Sequence, residues 1–193
     1  VTYNEQRARE IEEDYKLFCS QVYVIPPRDL IFFSADLQGN AIIAERMKAF
    51  AALYQNEAKV IITTIDALMS AAVPFEQLMS HVIKLKEGDE LDLEKLKHDL
   101  TVMGYERVGR VEEPGQFTVH GGIADVYPLT MEVPVRIELW GDEIDTIRCF
   151  EPQSQRSMDQ IECVSVFPAA EVIADDTARR RAVGMIQNEL ESQ

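Results

Sequence analysis

Val135-Arg136-Ile137-Glu138-Leu139-Trp140-Gly141-Asp142-Glu143-Ile144 reads as a β-hairpin, and it decides the class of the second half of this 193-residue chain. Strand alternation places Val135, Ile137 and Leu139 on one face and Arg136, Glu138 and Trp140 on the other. The first face is core. The second carries a guanidinium and an indole about 13 Å apart, four residue rises of about 3.3 Å, with a carboxylate between them. Gly141-Asp142 makes a tight turn; with a two-residue loop, Trp140 faces Glu143 and Arg136 lies beside Ile147. Trp and Arg are the side chains most enriched at binding hot spots, because each joins a large contact area to directed polar groups. Pattern alone leaves two readings open. Either this face docks a partner, or another layer covers it, with Trp140 as plain core and Arg136 and Glu138 as a paired rim.

Outward from the hairpin, short strand patterns occupy residues 105–111, 116–119, 123–127, 143–150 and 161–167, broken by Pro114-Gly115, Gly121-Gly122, Pro128 and Pro152. Before them, Leu91, Leu93, Leu96 and Leu100 recur at helical spacing and stop at Met103-Gly104, since glycine is the usual helix terminator. Strands gathered after a helix indicate an α+β unit. The last stretch, 176–192, reads as a helix with Arg179-Arg180-Arg181 early in it, where positive charge opposes the macrodipole.

The first 85 residues have a different rhythm. Asn4 caps a helix whose apolar stripe is Ala8, Ile11, Tyr15 and Phe18. Strands are expected at 22–25 and 30–33 around Pro26-Pro27, then a helix over 41–54. The run Val60-Ile61-Ile62-Thr63-Thr64 is short, apolar and β-branched, as in a buried parallel strand. This alternation is that of an α/β layer. Val1-Thr2-Tyr3 reads as the end of a strand, so part of this sheet is expected to precede it.

Chemistry is sparse. The motif Gly-x-x-x-x-Gly-Lys-Ser/Thr, whose amides, lysine and hydroxyl hold phosphates and magnesium, does not occur, so ATP turnover by this chain alone is not expected. His81, His98 and His120 lack metal-ligand spacing, and Cys19, Cys149 and Cys163 are odd in number and scattered, read as reduced core thiols. Glu112-Glu113 and Asp142-Glu143 sit at turns; hydrolytic use of either pair requires that it line a pocket. The net charge is -15. Residues 1–85 carry 8 Lys and Arg against 11 Asp and Glu, the rest 11 against 23, so the acidic surplus lies in the second half. DNA affinity is built largely from Lys and Arg on phosphates, which argues against a bare duplex as ligand. No apolar stretch approaches the roughly 20 residues of a membrane span, no secretion signal opens the chain, and a cytoplasmic home is expected.

Several strings in one order extend the reading. Tyr105-Glu106-Arg107-Val108-Gly109, Pro114 through Pro128, Arg136 through Ile144, Phe150-Glu151 and Ser154-Gln155-Arg156-Ser157 together resemble the module shared by the excision-repair protein UvrB and the bacterial transcription-repair coupling factors (Mfd). Upstream, Pro26-Pro27-Arg28-Asp29-Leu30 and residues 60–68 resemble the preceding α/β domain of the same proteins. The short passage through Pro74-Phe75-Glu76, without the aromatic-rich insertion of UvrB, and the Ser154-Gln155-Arg156-Ser157 loop both favour the coupling-factor branch.

The resemblance implies a truncated P-loop-NTPase-like α/β layer lacking the phosphate loop (1–85), an α+β UvrB-like domain that binds UvrA (86–173), and a terminal helix or linker (174–193). It implies no cofactor and no catalysis in this segment. RNA polymerase, DNA and ATP would be engaged by downstream domains, and a carboxy-terminal domain would mask the UvrA site. The alternative is a fragment of a UvrB-like DNA-damage-loading ATPase. Carried over by position, Arg136, Glu138 and Trp140 match the contact strand, and His120 stands where the family usually has an arginine, giving at most a partial positive charge at neutral pH. Arg136 is expected to grip a carboxylate of UvrA through two parallel hydrogen bonds.

Overall fold

The computed structural model describes residues 1–28, 37–70 and 73–173, with side chains reported outside 37–40. The strand expected at 30–33 and the helix expected over 176–192, with its three arginines, lie outside the described residues. Among the described residues no helix is long and apolar enough to cross a membrane.

The first unit opens with helix α1 (Glu5–Lys16), capped by Asn4, whose side chain accepts from the Arg7 amide at 2.8 Å. Ala8 on α1 packs against strands β1 (Val22–Ile25) and β2 (Val60–Thr63) through Val22, Val24 and Ile62. The strands are parallel, Val22 opposite Val60 through Ile25 opposite Thr63, and helix α2 (Leu37–Tyr54) crosses between them, so the expected βαβ rhythm is present. Thr2 adds a parallel bridge to Thr64, in keeping with a strand end at Val1-Thr2-Tyr3. The stripe of α1 is shorter than its spacing predicts. Tyr15 is exposed and Phe18 is 87% exposed, because the apolar cluster beneath the helix consists of the residues above with Ile11, Cys19 and Val60 and does not reach the last turn. Two short helices follow, α3 (Ile65–Met69), capped by Thr64, and α4 (Phe75–Met79).

The second unit is built on a six-stranded sheet that follows chain order: β4 (Glu106–Arg107), β5 (Gln116–His120), β6 (Ile123–Val126), β7 (Val135–Trp140), β8 (Glu143–Phe150) and β9 (Ser157–Gln160). All its pairs are antiparallel except β4 with β5. Its inner face buries Phe117, Val119, Ala124, Val126, Val135, Ile137, Ile144 and Ile147 against Leu96 and Leu100 of helix α5 (Leu93–Val102). Asp92 caps α5, accepting from the Glu94 and Lys95 amides at 2.9 and 3.1 Å. Gly104, at φ +90°, reverses the chain after it; an added Cβ would stand 2.6 Å from that of Ala170, so only glycine fits. The strand expected over 105–111 is paired only at β4, whose last rung is the Val108 amide donating to the Phe117 carbonyl at 2.9 Å; beyond it the chain turns so that Val111 packs under the sheet's other face.

A separate antiparallel pair, β3 (Ile83–Lys86) with β10 (Cys163–Val166), contributes Leu85, Val164 and Val166 to the same core. β3 therefore straddles residue 85; its strand pairing and Leu85 belong to the second unit, while Lys84 lies 5.2 Å over the Tyr54 ring of α2. Past β10 the chain locks onto the first unit. Phe167 inserts among Met47, Ala51, Leu78 and Met79 and meets Tyr54 edge to face at 5.9 Å. Burying one such phenylalanine contributes about 2–3 kcal/mol. Four residues on, Glu171 accepts from Nη2 of Arg46 at 3.2 Å, in closer contact from Arg46 Nε, and from Nε of Arg28 at 2.7 Å. Burial pushes the Glu171 carboxyl up, but the two guanidiniums outweigh it and hold it below the usual carboxylate range.

Candidate functional site

The outer face of the six-stranded sheet holds every residue singled out on the contact strand. Cross-strand partners share a face, so register reads directly as rows of neighbours. One row runs His120, Ile123, Glu138, Thr146 across β5 to β8; the next runs Thr118, Asp125, Arg136, Arg148, Gln160. Trp140 stands opposite Glu143 at the end of the hairpin, as the two-residue turn dictates.

Trp140 is 84% exposed. Among the described residues no second layer covers the indole, so the alternative of Trp140 as plain core does not hold. Ile123, in the neighbouring row, is 40% exposed, and His120 is exposed with its Nε2 3.0 Å from Thr118 Oγ1. Glu138 is half-buried and accepts from the Thr146 hydroxyl at 3.2 Å, so it forms no rim pair with Arg136.

Arg136 departs most from expectation. Its Nε and Nη2 donate to the two oxygens of Asp125 at 2.8 and 2.7 Å, and Nη2 also reaches Gln155 Oε1 at 3.3 Å. Its guanidinium lies 4.7 Å over the Phe150 ring, and its side chain is only 20% exposed. The Asp125 hydrogen bonds hold it above its usual pKa. The two-pronged carboxylate grip expected toward a partner is thus already made within the molecule.

The opposite strand also differs from the simple hairpin. A bulge between Glu138 and Leu139 puts two residues of β8 where one would stand, so Arg136 lies opposite Arg148 and not beside Ile147. Phe150 consequently leaves the inner face that holds Ile144 and Ile147. It joins Val111 and Tyr127 in a small cluster that closes one end of the outer face. The face is sealed at the Phe150 end and open at the Trp140 end.

Asp125, Ile123 and Arg148 belong to this surface and were not singled out from sequence. A signal existed for the first two: Ile123-Ala124-Asp125-Val126 alternates, and Ala124 and Val126 supply the core side. Elsewhere, Asp142 lines a cleft of about 960 Å³ beside the start of α5, together with Asp89, Glu90 and Asp92. Glu112 and Glu113 are exposed; Gln116 Oε1 accepts from both their amides at 3.0 Å, which makes them turn residues.

Comparison with known proteins is consistent with the sheet's pattern. Residues 83–171 match the family model of the UvrB interaction domain. The whole chain is 35% identical to a segment of the transcription-repair-coupling factor of Staphylococcus haemolyticus. Over 98% of its length it is 34% and 31% identical to the proteins of that name from Staphylococcus epidermidis and Bacillus subtilis. In each case the chain spans 16% of the relative's length.

Proposed function

Since the chain belongs by sequence to the transcription-repair-coupling factor family, with a UvrB interaction domain at residues 83–171, we propose that its β-rich half is a non-catalytic docking module that recruits UvrA to stalled RNA polymerase in nucleotide excision repair. The observation that carries this reading is the open end of the outer sheet face. Trp140 is 84% exposed on a strand whose opposite face packs Val135 and Ile137 in the core, so folding draws little on the indole. Trp140, Ile123, Glu138 and His120 form the contact surface, and Arg136, held by Asp125 in the neighbouring row of the same face, braces it.

The first unit is a degenerate NTPase-like layer in this reading. Its parallel β1-α2-β2 core supports the kinship, and the absence of a phosphate-loop sequence argues against turnover. A division after residue 85 would cut β3; its pairing with β10 supports drawing the boundary before Ile83, with β3 in the docking module. In the full-length protein, ATP-driven translocation on DNA and polymerase binding reside in other domains. A carboxy-terminal domain covers the Trp140 face until the polymerase is engaged.

Two titrations test the proposal. Calorimetry of the chain against purified UvrA should give saturable binding, and a mobility-shift series on duplex DNA should give none even at low salt, given the charge of -15. DNA binding without UvrA binding would overturn the reading in favour of a UvrB-like loader.

A further inference from the structure

Two arginines face each other across the outer sheet surface, and their situations differ. Arg136 is satisfied: Asp125 takes Nε and Nη2, and Phe150 lies beneath the guanidinium. Arg148, its cross-strand partner on β8, is half-buried, and among the described residues it makes no hydrogen bond or ion pair. Its Nε is buried without an acceptor. Glu138, on the diagonal, is engaged with Thr146 instead.

This arrangement works against folding. Like charges directly opposite in an antiparallel pair repel, and a buried donor on a charged group loses its water without regaining a bond. One carboxylate serves two guanidiniums, so the row Asp125, Arg136, Arg148 carries a net positive charge on a strongly acidic chain. An external carboxylate would cancel the surplus charge and give the outer nitrogens of the Arg148 guanidinium an acceptor that no described residue supplies. Arg136 could take that part only by abandoning a nearly buried Asp125.

We propose that Arg148 is the carboxylate-binding residue of the docking face, and that the surface of UvrA it meets presents an Asp or Glu side chain flanked by apolar groups that cover Trp140 and Ile123. This rests on the docking reading above and adds to it the chemistry of the partner. The fork of a guanidinium donates two parallel hydrogen bonds to a carboxylate, which the single point charge of a lysine does not reproduce.

The test uses the full chain and purified UvrA, with Arg148→Met, Arg148→Lys and Trp140→Ala compared by calorimetry at two salt concentrations and by thermal unfolding. Arg148→Met should bind at least about tenfold more weakly, as expected for a contact arginine. Its affinity should fall less steeply with salt, while its Tm equals or exceeds that of the parent. Arg148→Lys should recover part of the salt dependence and little of the affinity. If Arg148→Met binds like the parent while Trp140→Ala does not, the face docks but Arg148 is no contact and the proposal fails alone. Should Arg148→Met lose stability along with binding, the residue is structural and the proposal is again overturned. If neither Arg148→Met nor Trp140→Ala weakens binding, the docking reading itself is wrong.

Discussion

Replacing Trp140 by alanine separates folding from docking more cleanly than any other change in this chain. An aromatic side chain of this size offers up to ~250 Å², and with 84% of it open a partner that covers it removes roughly 200 Å² from water. At about 25 cal/mol per Å² that is at most about 5 kcal/mol. Immobilising the side chain takes back about 0.5–1.5 kcal/mol. Truncation should therefore weaken UvrA binding by about 2–4 kcal/mol, a factor of roughly 30 to 1,000 in Kd. The same exposure means almost nothing is lost on folding, so stability should change by no more than about 0.5 kcal/mol. Calorimetry gives the first number and thermal unfolding the second. Because Trp140 is the chain's sole tryptophan, 5-fluorotryptophan labelling supplies a single fluorine NMR resonance that should shift on adding UvrA. A Trp140→Ala chain of parental stability that binds within about twofold of the parent, well inside a hot-spot loss, would refute the argument.

The junction between the units yields two further expectations. Glu171→Gln removes the countercharge from the guanidinium of Arg46, which is 3% exposed and keeps its bond to the Pro26 carbonyl, and should cost about 3–5 kcal/mol by denaturant unfolding. Because the Glu171 carboxyl is held low, its contribution is complete above the ordinary carboxylate value of about 4.3 and is lost as pH falls through the lowered one. The stability gap between parent and variant should accordingly close in acid; a gap independent of pH down to acid unfolding would contradict this. Gly104→Ala forces a Cβ to 2.6 Å from Ala170 at φ +90°. It should lower stability by roughly 2–3 kcal/mol, a drop in Tm of about 5–10 °C, with UvrA affinity intact at temperatures where the variant is folded.

Local signals were legible in the sequence wherever one element settles the matter. Asn4 and Asp92 cap their helices because a short polar side chain before an amphipathic run has few other uses. The alternation of Val135 to Trp140 gives the two faces of β7 correctly. What alternation cannot give is the neighbour across the ladder. Arg136 and Asp125 meet because β6 pairs with β7 in one register, and nothing local to either residue specifies it. The bulge did leave a trace, unused in the simple hairpin reading: Ile144 and Ile147 are three apart, and two residues at that spacing both face inward on a strand only if one residue between them is extra. Arg46 and Glu171 are 125 residues apart, and their pairing follows from where the chain lands after β10, which no local pattern encodes.

The division of the outer face follows from the same geometry. Asp125 holds the Arg136 guanidinium against Phe150, and Phe150 lies on that side because the bulge turned it there. With Val111 and Tyr127 closing over it, one end of the face becomes a second small core. The open end inherits the rigidity of that core, since Trp140 and Glu138 continue the strand that carries Arg136. A docking surface held on ladder strands loses less conformational freedom on binding than one carried on loops. The internal ion pair that deprives Arg136 of a partner's carboxylate thus fixes the platform from which Trp140 projects, and it leaves the task of meeting an acid to the arginine across the strand.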